Sequence, residues 1–480
     1  MRFSSVSHIL GILLMFLAAA MLLPIPFSIY YGDGDHFPLL FSTLVTLIAG
    51  FGMFHLSSFQ ADLRPKEGFA VVTFSWLLFS LFGSLPFMFS RSIPCFTDAF
   101  FETMSGFTTT GATILTDIES LSHGILFWRS LTHWIGGMGI IVLSLAILPF
   151  LGVGGMELYR AEVPGPVAGK LTPRIAKTAT ILWGVYALFT LLEASLLMLG
   201  GMNLFEALCH AFGTLATGGF STRNASIGSY HSAYIDSVVI VFMIVAGTNF
   251  SLHYRFLKGH FTIYFKSHEF IFFISIIGTA AVLIGLDTLP HSNGSALASL
   301  RNTLFQVVSI LTTTGYGTAD YENWRFSSQV ILFFLMFIGG CAGSTGGGMK
   351  VVRIFVLIKS LFAEIVRLLH PHAIVPVRVG KTTVSRDIVM SIFAFFMLFV
   401  FTFVLGVLIM TGMGLDLVSA FGAVAAALGN IGPGLGSVGP TDNYAHIPFL
   451  GKWVLALLML MGRLEVFTVI ILLSPSFWRK

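Results

Sequence analysis

The chain alternates between long apolar blocks and short polar connections. Apolar blocks fall at about 8–30, 37–60, 69–90, 122–150, 178–200, 233–256, 269–290, 327–358, 384–411 and 450–474. About 20 residues of helix cross the hydrocarbon of a bilayer, so each block predicts a transmembrane helix, ten in all. The first block follows Arg2 and carries small residues at Ala18, Ala19 and Ala20, the outline of a signal peptide. Its apolar run continues to about Tyr30, so it reads as a retained first span.

Four connections break the alternation, being too apolar for loops and too short for spans. They are DAFFETMSGFTTTGAT (98–113), NLFEALCHAFGTLATGGFST (203–222), SALASLRNTLFQVVSILTTTGYGT (295–318) and DLVSAFGAVAAALGNIGPGLG (416–436). Each opens on a helix-cap candidate, Asp98, Asn203, Ser295 or Asp416, and Asn203 with Glu206 has capping-box spacing. Ten or more helix-compatible residues follow, about 15 Å of helix or half a membrane, and then a Thr/Gly-rich segment. Non-helical backbone at membrane depth is tolerated only inside protein or beside a water-filled cavity, so each connection predicts a re-entrant hairpin. The unit of span, half-helix, loop and span occurs four times, at 69–155, 176–258, 267–362 and 382–480, after an extra helix pair at 1–68. Gly111, Gly218, Gly315 and Gly432 align the four loops at a period of about a hundred residues. The expected fold is an all-α polytopic membrane protein with four pseudo-repeated units around one pore.

Composition agrees. The 480 residues are 55% hydrophobic and only 10% charged, with a mean hydropathy of +0.89, too little charge to coat a soluble protein of this size. Of the 26 basic residues, 19 lie at the termini or in alternate connections, such as Arg64 and Lys66, Arg160 to Lys177, Arg255 to Lys266 and Lys350 to Arg386. The positive-inside rule places these, and both termini, in the cytoplasm. The net charge of +4 is dispersed in short loops and implies no nucleic-acid partner. Cys95, Cys209 and Cys341 have no metal-ligand spacing and read as packing residues. No metal cluster or nucleophile–base pair suggests an enzyme. His133 and His210 read as packing or hydrogen-bonding residues. Asp98, Glu102 and Glu206 either make the outer mouth attractive to cations or merely cap helices.

The loops carry the candidate chemistry. Stripping water from a potassium ion requires replacement oxygens, and backbone carbonyls supply them without a fixed negative charge that would trap the ion. Aiming successive carbonyls inward needs backbone conformations that glycine reaches most easily. TTTGYGT at 312–318 nearly reproduces the TVGYG filter of potassium channels. The other loops, TTTGAT, LATGGFST and GNIGPGLG, are degraded copies. The half-helices should turn their negative C-terminal ends toward the pore. In the eighth block, Gly339, Gly340, Gly343, Ser344, Thr345, Gly346, Gly347, Gly348 and Lys350 form a segment too glycine-rich for a good helix. It predicts a break on the cytoplasmic side of the filter. The segment fails the phosphate-loop pattern because Val351 follows Lys350. Arg463 is predicted in the middle of the last span, where a charge faces a cavity or a partner and is a barrier to cations. Glu465, two residues on, points elsewhere on a helix.

These loops and their spacing resemble the Trk/Ktr/HKT superfamily of potassium transporters over essentially the whole chain, including the extra first helix pair. The resemblance implies a potassium filter at Thr109, Thr110 and Gly111; Ala216, Thr217 and Gly218; Thr313, Thr314 and Gly315; and Asn430, Ile431 and Gly432. Gly111, where some sodium-favouring plant relatives have serine, argues for potassium. The broken segment would be a gate lying across the pore, with Arg463 just under the filter as a barrier. The resemblance further implies a bacterial inner-membrane location, a homodimer, and a cytosolic TrkA-like regulatory ring that carries the nucleotide, this chain having no cofactor. Potassium, and with it rubidium, would be the transported ion. The basic loops 158–177 and 359–386 are candidate docking surfaces. Symport of potassium with sodium or protons is the alternative, with Glu193 and Glu465 as candidate relay carboxylates.

Overall fold

The structure is a computed structural model that describes residues 2–58, 65–146, 172–289, 295–380 and 382–479. Residues 158–171 of the first basic loop lie outside the described residues, as does Lys381 of the second. Each of the ten apolar blocks is helical. Phe3–Tyr31, His36–His55, Lys66–Phe89, Lys177–Leu199, His268–Thr288 and Arg386–Gly412 are long and apolar enough to cross a membrane, and His123–Ala146 supplies the fourth block.

The other three blocks are broken, where the sequence predicted a break only in the eighth. That one stops at Leu335 and resumes at Val351. The sixth block divides into Ala233–Ala246 and Phe250–Leu257, bent by 103°. Asn249 caps the second piece by accepting the Ser251 amide at 2.8 Å, an alternative hydrogen bond that lets the chain leave the first. The last block divides into Phe449–Arg463 and Phe467–Leu473, bent by 118°, with Glu465 and Val466 at φ +57° and +47°. Arg463 is therefore the last residue of a helix and not the middle of a span.

The first two helices cross at Gly11 and Gly50, each without room for a side chain against the other's backbone. Buried Asp35 fastens this pair to the first unit by accepting from the Ser122 hydroxyl at 2.6 Å and the Ile125 amide at 3.1 Å.

The four predicted half-helices are Phe96–Phe107, Leu204–Leu215, Ala296–Leu311 and Leu417–Gly429. They run 12 to 16 residues, roughly 18–24 Å at 1.5 Å per residue. Asn203 and Asp416 cap as expected, accepting the amides of Glu206 at 2.7 Å and Ser419 at 3.0 Å. Ser295 holds the cap position without a side-chain hydrogen bond. Asp98 does not cap: exposed Cys95 holds that position, and Asp98 lies in the first turn, paired with Lys452 at 2.6 Å. Among the described residues one small hairpin, Arg378–Val379 with Thr382–Thr383, forms a two-stranded sheet.

Candidate functional site: a ring of four loops

The four half-helices end in the same backbone figure. The residue after the last turn donates its amide three residues back: Thr109 to Gly106, Thr217 to Thr214, Thr313 to Ile310 and Asn430 to Ala427. The next residue donates five back: Thr110 to Ser105, Gly218 to Gly213, Thr314 to Ser309 and Ile431 to Ala426. Left-handed residues recur in step. Thr109, Thr217, Thr313 and Asn430 have φ of +50°, +54°, +61° and +55°. Two residues on, Gly111, Gly219, Gly315 and Gly432 have φ of +82°, +79°, +79° and +99°. A β-branched residue at positive φ is an outlier of the kind that collects at functional sites, and three of the four loops place a threonine there.

This geometry corrects the second loop by one residue. Gly219, not Gly218, is the counterpart of Gly111, Gly315 and Gly432, and the second triplet is Thr217, Gly218 and Gly219 rather than Ala216, Thr217 and Gly218. Adjacent glycines made the sequence ambiguous, and the sign of φ decides.

The loops close on one another. A Cβ at Gly111 would overlap the carbonyl oxygen of Gly218; one at Gly219, that of Thr314; one at Gly315, that of Ile431. A Cβ at Gly432 would stand 2.7 Å from the carbonyl oxygen of Thr110. Each glycine thus abuts the middle residue of the next loop, and the fourth returns to the first. All four glycines line a cavity of about 80 Å³. The carbonyls of Thr109, Thr110, Thr217, Gly218, Thr313, Thr314, Asn430 and Ile431 accept no hydrogen bond from the described residues, although these residues are buried. The Thr109 hydroxyl and the Asn430 side-chain oxygen are also buried without a partner among the described residues. Buried carbonyls are almost always paired, so eight unpaired ones on one ring form an oxygen-rich site suited to a cation.

Buried struts hold the ring. The Tyr316 hydroxyl donates to the carbonyls of His210 at 3.0 Å and Phe220 at 3.3 Å, Tyr321 to Gly434 at 2.7 Å and Tyr444 to Gly432 at 2.7 Å. Arg129 donates to the Ser221 carbonyl at 3.0 Å, pairs with Glu102 at 2.7 Å and lies 3.6 Å over the Phe220 ring. Asn430, in the loop that lacks threonine, donates to the Thr110 hydroxyl at 3.0 Å and the Met459 carbonyl at 2.8 Å. The sequence marked none of Arg129, Tyr321 and Tyr444; a buried arginine within an apolar block was the available signal for the first. Asp98, Glu102 and Glu206, read from the sequence either as a cation-attracting mouth or as helix caps, pair with Lys452, Arg129 and Arg223.

The glycine-rich segment lies against the helix-end side of the ring. The Gly347 amide donates to the Thr313 hydroxyl at 2.7 Å, and the Thr345 hydroxyl to the Leu215 carbonyl at 2.9 Å. A Cβ at Gly347 would stand 2.7 Å from the Gly429 carbonyl oxygen, and one at Gly346 would stand 3.2 Å from that of Thr312. The segment therefore reaches the ends of three half-helices. Its own shape is held by Gly339 donating to Met349 at 2.7 Å, by the Lys350 ammonium on the Gly346 carbonyl, and by Ser344 beside Gly340. Gly343 and Gly348 take φ of +73° and +63°. The bend in the sixth block grips it too, through Cys341 donating to Gly247 at 2.8 Å and Phe250 to Gly343 at 3.1 Å.

Arg463 meets this segment at the break in the last helix. It donates to the carbonyls of Thr345 at 2.7 Å and Gly136 at 3.0 Å and has no carboxylate partner among the described residues. Glu465, as expected, is not its partner and instead pairs with Arg353.

Four loops that close on one another and place their left-handed glycines around one cavity, in a helical protein with several spans, define a membrane transport protein. The chain belongs to the TrkH family of cation transport proteins, whose family model matches residues 40–480. It is 42% identical to the Trk system potassium uptake protein TrkH of Halomonas elongata and to that of Escherichia coli K12, over the full length of both chains in each case. It is 35% identical to the Escherichia coli K12 protein TrkG, covering 99% of this chain and 98% of that one. The crystal structure of the potassium transporter TrkH from Vibrio parahaemolyticus superposes with a TM-score of 0.92 at 40% identity, covering both chains entirely. These relatives are transporters, and the chain is not an enzyme.

Proposed function

We propose that this chain takes up potassium across the bacterial inner membrane through the ring of four loops, which acts as its selectivity filter. The observation that carries this is the ring of unpaired buried carbonyls on Thr109, Thr110, Thr217, Gly218, Thr313, Thr314, Asn430 and Ile431, capped by Gly111, Gly219, Gly315 and Gly432. Carbonyl dipoles replace the hydration shell of a monovalent cation, and no side-chain carboxylate among them would hold it fast. The half-helix ends add negative potential at the ring. The names of the full-length relatives supply the ion: each is a potassium uptake protein.

In this reading the segment from Gly339 to Lys350 is the gate, and Arg463 is both its tether and a positive barrier in the pathway. The four units run 69–155, 176–258, 267–362 and 382–480, with the extra pair at 1–68, and both termini face the cytoplasm. A cytosolic TrkA-like partner binds the nucleotide and acts on the gate, and two copies of the chain associate within the membrane lipid. Of the two carboxylates a coupled symporter would use, Glu465 is occupied by Arg353, which leaves Glu193, buried and, among the described residues, without a hydrogen-bond partner that meets ordinary geometry. That leaves the symport alternative a single candidate carboxylate.

The test is flux of potassium, rubidium, sodium and lithium into proteoliposomes of the purified protein under an imposed potential. Potassium and rubidium should pass well ahead of sodium with no second ion gradient. Flux that needs such a gradient would establish the symporter instead.

A further inference from the structure

Gly218 is a glycine whose backbone does not need one. Its φ lies outside the left-handed region, unlike those of Thr217 before it and Gly219 after it. The corresponding residues in the other loops are Thr110, Thr314 and Ile431, all with full side chains. The obstacle at 218 is steric: a Cβ there would fall on the imidazole of His133, overlapping Nδ1 and crowding Cε1 and Cγ. His133 is fully buried, packs at 4.0 Å between ring centroids on Phe220 of the same loop, and makes no hydrogen bond with either ring nitrogen. It projects from the second helix of the first unit. One turn further along that helix, Gly137 meets Ala216 of the same loop, where a Cβ would stand 2.7 Å from the Ala216 Cα. Residues i and i+4 share a helix face, so one face of this helix backs the second loop from Ala216 to Gly218.

In the first and third loops the same volume is filled from within. The Thr110 hydroxyl bonds to that of Thr108 at 2.8 Å, and the Thr314 hydroxyl to that of Thr312 at 2.8 Å. The second loop has Ala216 and Gly218 at those two places and neither hydroxyl. We infer that His133 is the positioning residue of the second loop: its imidazole stands in for the missing threonine side chain and fixes the Gly218 carbonyl, against which Gly111 closes the ring. The imidazole acts by shape, since neither ring nitrogen has a hydrogen-bond partner among the described residues. His133 thereby becomes a determinant of ion selectivity although it lies outside the four loops. This inference rests on the ring being the filter.

The experiment is a two-residue cycle read as the potassium-to-sodium flux ratio in proteoliposomes, with Gly315→Ser as a separate check on the filter. Each variant is first shown to be inserted and monodisperse in detergent. His133→Ala should lower the ratio about tenfold, the effect of roughly 1.4 kcal/mol of lost discrimination. Gly218→Thr should lower it similarly, by collision with His133. The double variant His133→Ala/Gly218→Thr, with a threonine where two other loops have one, should recover most of the ratio. Recovery is the outcome a merely structural histidine would not produce. Additive losses, or an unchanged ratio in His133→Ala, would overturn the inference. If Gly315→Ser itself leaves the ratio unchanged, the filter assignment fails and the inference with it; a changed ratio there with additive losses in the cycle removes the role of His133 alone. Should Gly218→Thr not insert, recovery of insertion and ratio in the double variant supports the inference, and failure of both counts against it.

Discussion

The Arg463 guanidinium donates to the carbonyl oxygen of Thr345 at 2.7 Å, and so joins the end of a broken helix to the middle of the glycine-rich segment. Its second bond, to Gly136 at 3.0 Å, joins the same group to the first unit. One side chain therefore links the segment to both the first and the last units. Hydrogen bonds from a charged donor are worth about 1.5–3 kcal/mol each. Arg463→Ala should release the segment and raise basal rubidium influx in the absence of any partner protein by about tenfold or more. Influx equal to that of the parent protein would leave Arg463 with a structural role only.

Gly315 stands at φ +79°, and a Cβ there would overlap the Ile431 carbonyl oxygen. Gly315→Ser combines a left-handed penalty of about 1–2 kcal/mol with a displaced carbonyl in the neighbouring loop. Sodium permeability relative to potassium should rise, with insertion unaffected. Bi-ionic flux measurements decide, and an unaltered ratio removes Gly315 from the pathway.

Glu102 and Arg129 form an ion pair in which both side chains are almost wholly shielded from solvent. Removing one member of such a pair costs about 3–5 kcal/mol, because the other charge remains buried. Glu102→Ala should therefore lower the thermal transition of the detergent-solubilised protein by far more than Glu364→Ala, whose pair with Arg367 is exposed. Equal shifts would contradict the burial argument. Glu102 also accepts from the Thr113 hydroxyl at 2.8 Å and the Ile114 amide at 2.9 Å, so the loss should extend to the first loop.

Asp416 caps the fourth half-helix from an exposed position, and its bonds to Ser419 hold the carboxyl below the usual carboxylate range. A depressed folded-state value contributes stability above the unfolded value and loses it as pH falls through the folded one. Asp416→Ala should cost about 1 kcal/mol near neutral pH and progressively less as acid protonates the parent carboxyl. A loss independent of pH would show that the charge plays no part.

Tyr444 reaches the Gly432 carbonyl at 2.7 Å from outside the loop it supports. Tyr444→Phe deletes one hydrogen bond of about 1 kcal/mol without changing volume. Selectivity should weaken several-fold while total flux persists, as measured by competition between potassium and sodium. Full retention would show that the fourth loop is held by its other bonds, those of Asn430 and of Tyr321 to Gly434.

Much of this architecture was written in local pattern. Block length, the four interrupted connections and the glycine-rich break all depend on residues near one another in the chain, and bilayer thickness and helix geometry convert them directly into elements. What failed did so where distant residues compete. Asp98 had the chemistry of a cap, but Lys452 took its carboxylate. Glu102 and Glu206, for which the sequence left a charged mouth and simple capping both open, pair with Arg129 and Arg223. The breaks in the sixth and last blocks carry few helix-breaking residues; one is stabilised where Asn249 turns its side chain to the backbone, the other where Glu465 turns to Arg353.

Hydrophobic length and the Thr/Gly loops are local properties, and they were enough to establish the membrane class, the positions of the half-helices and the fourfold unit. The register of the second loop, the struts of the ring and the place of Arg463 beneath it emerged only from the folded chain. Those depend on which carbonyl lies within van der Waals reach of which glycine, and on which buried charge finds which partner, across separations from 27 residues for Glu102 and Arg129 to 327 for Arg463 and Gly136.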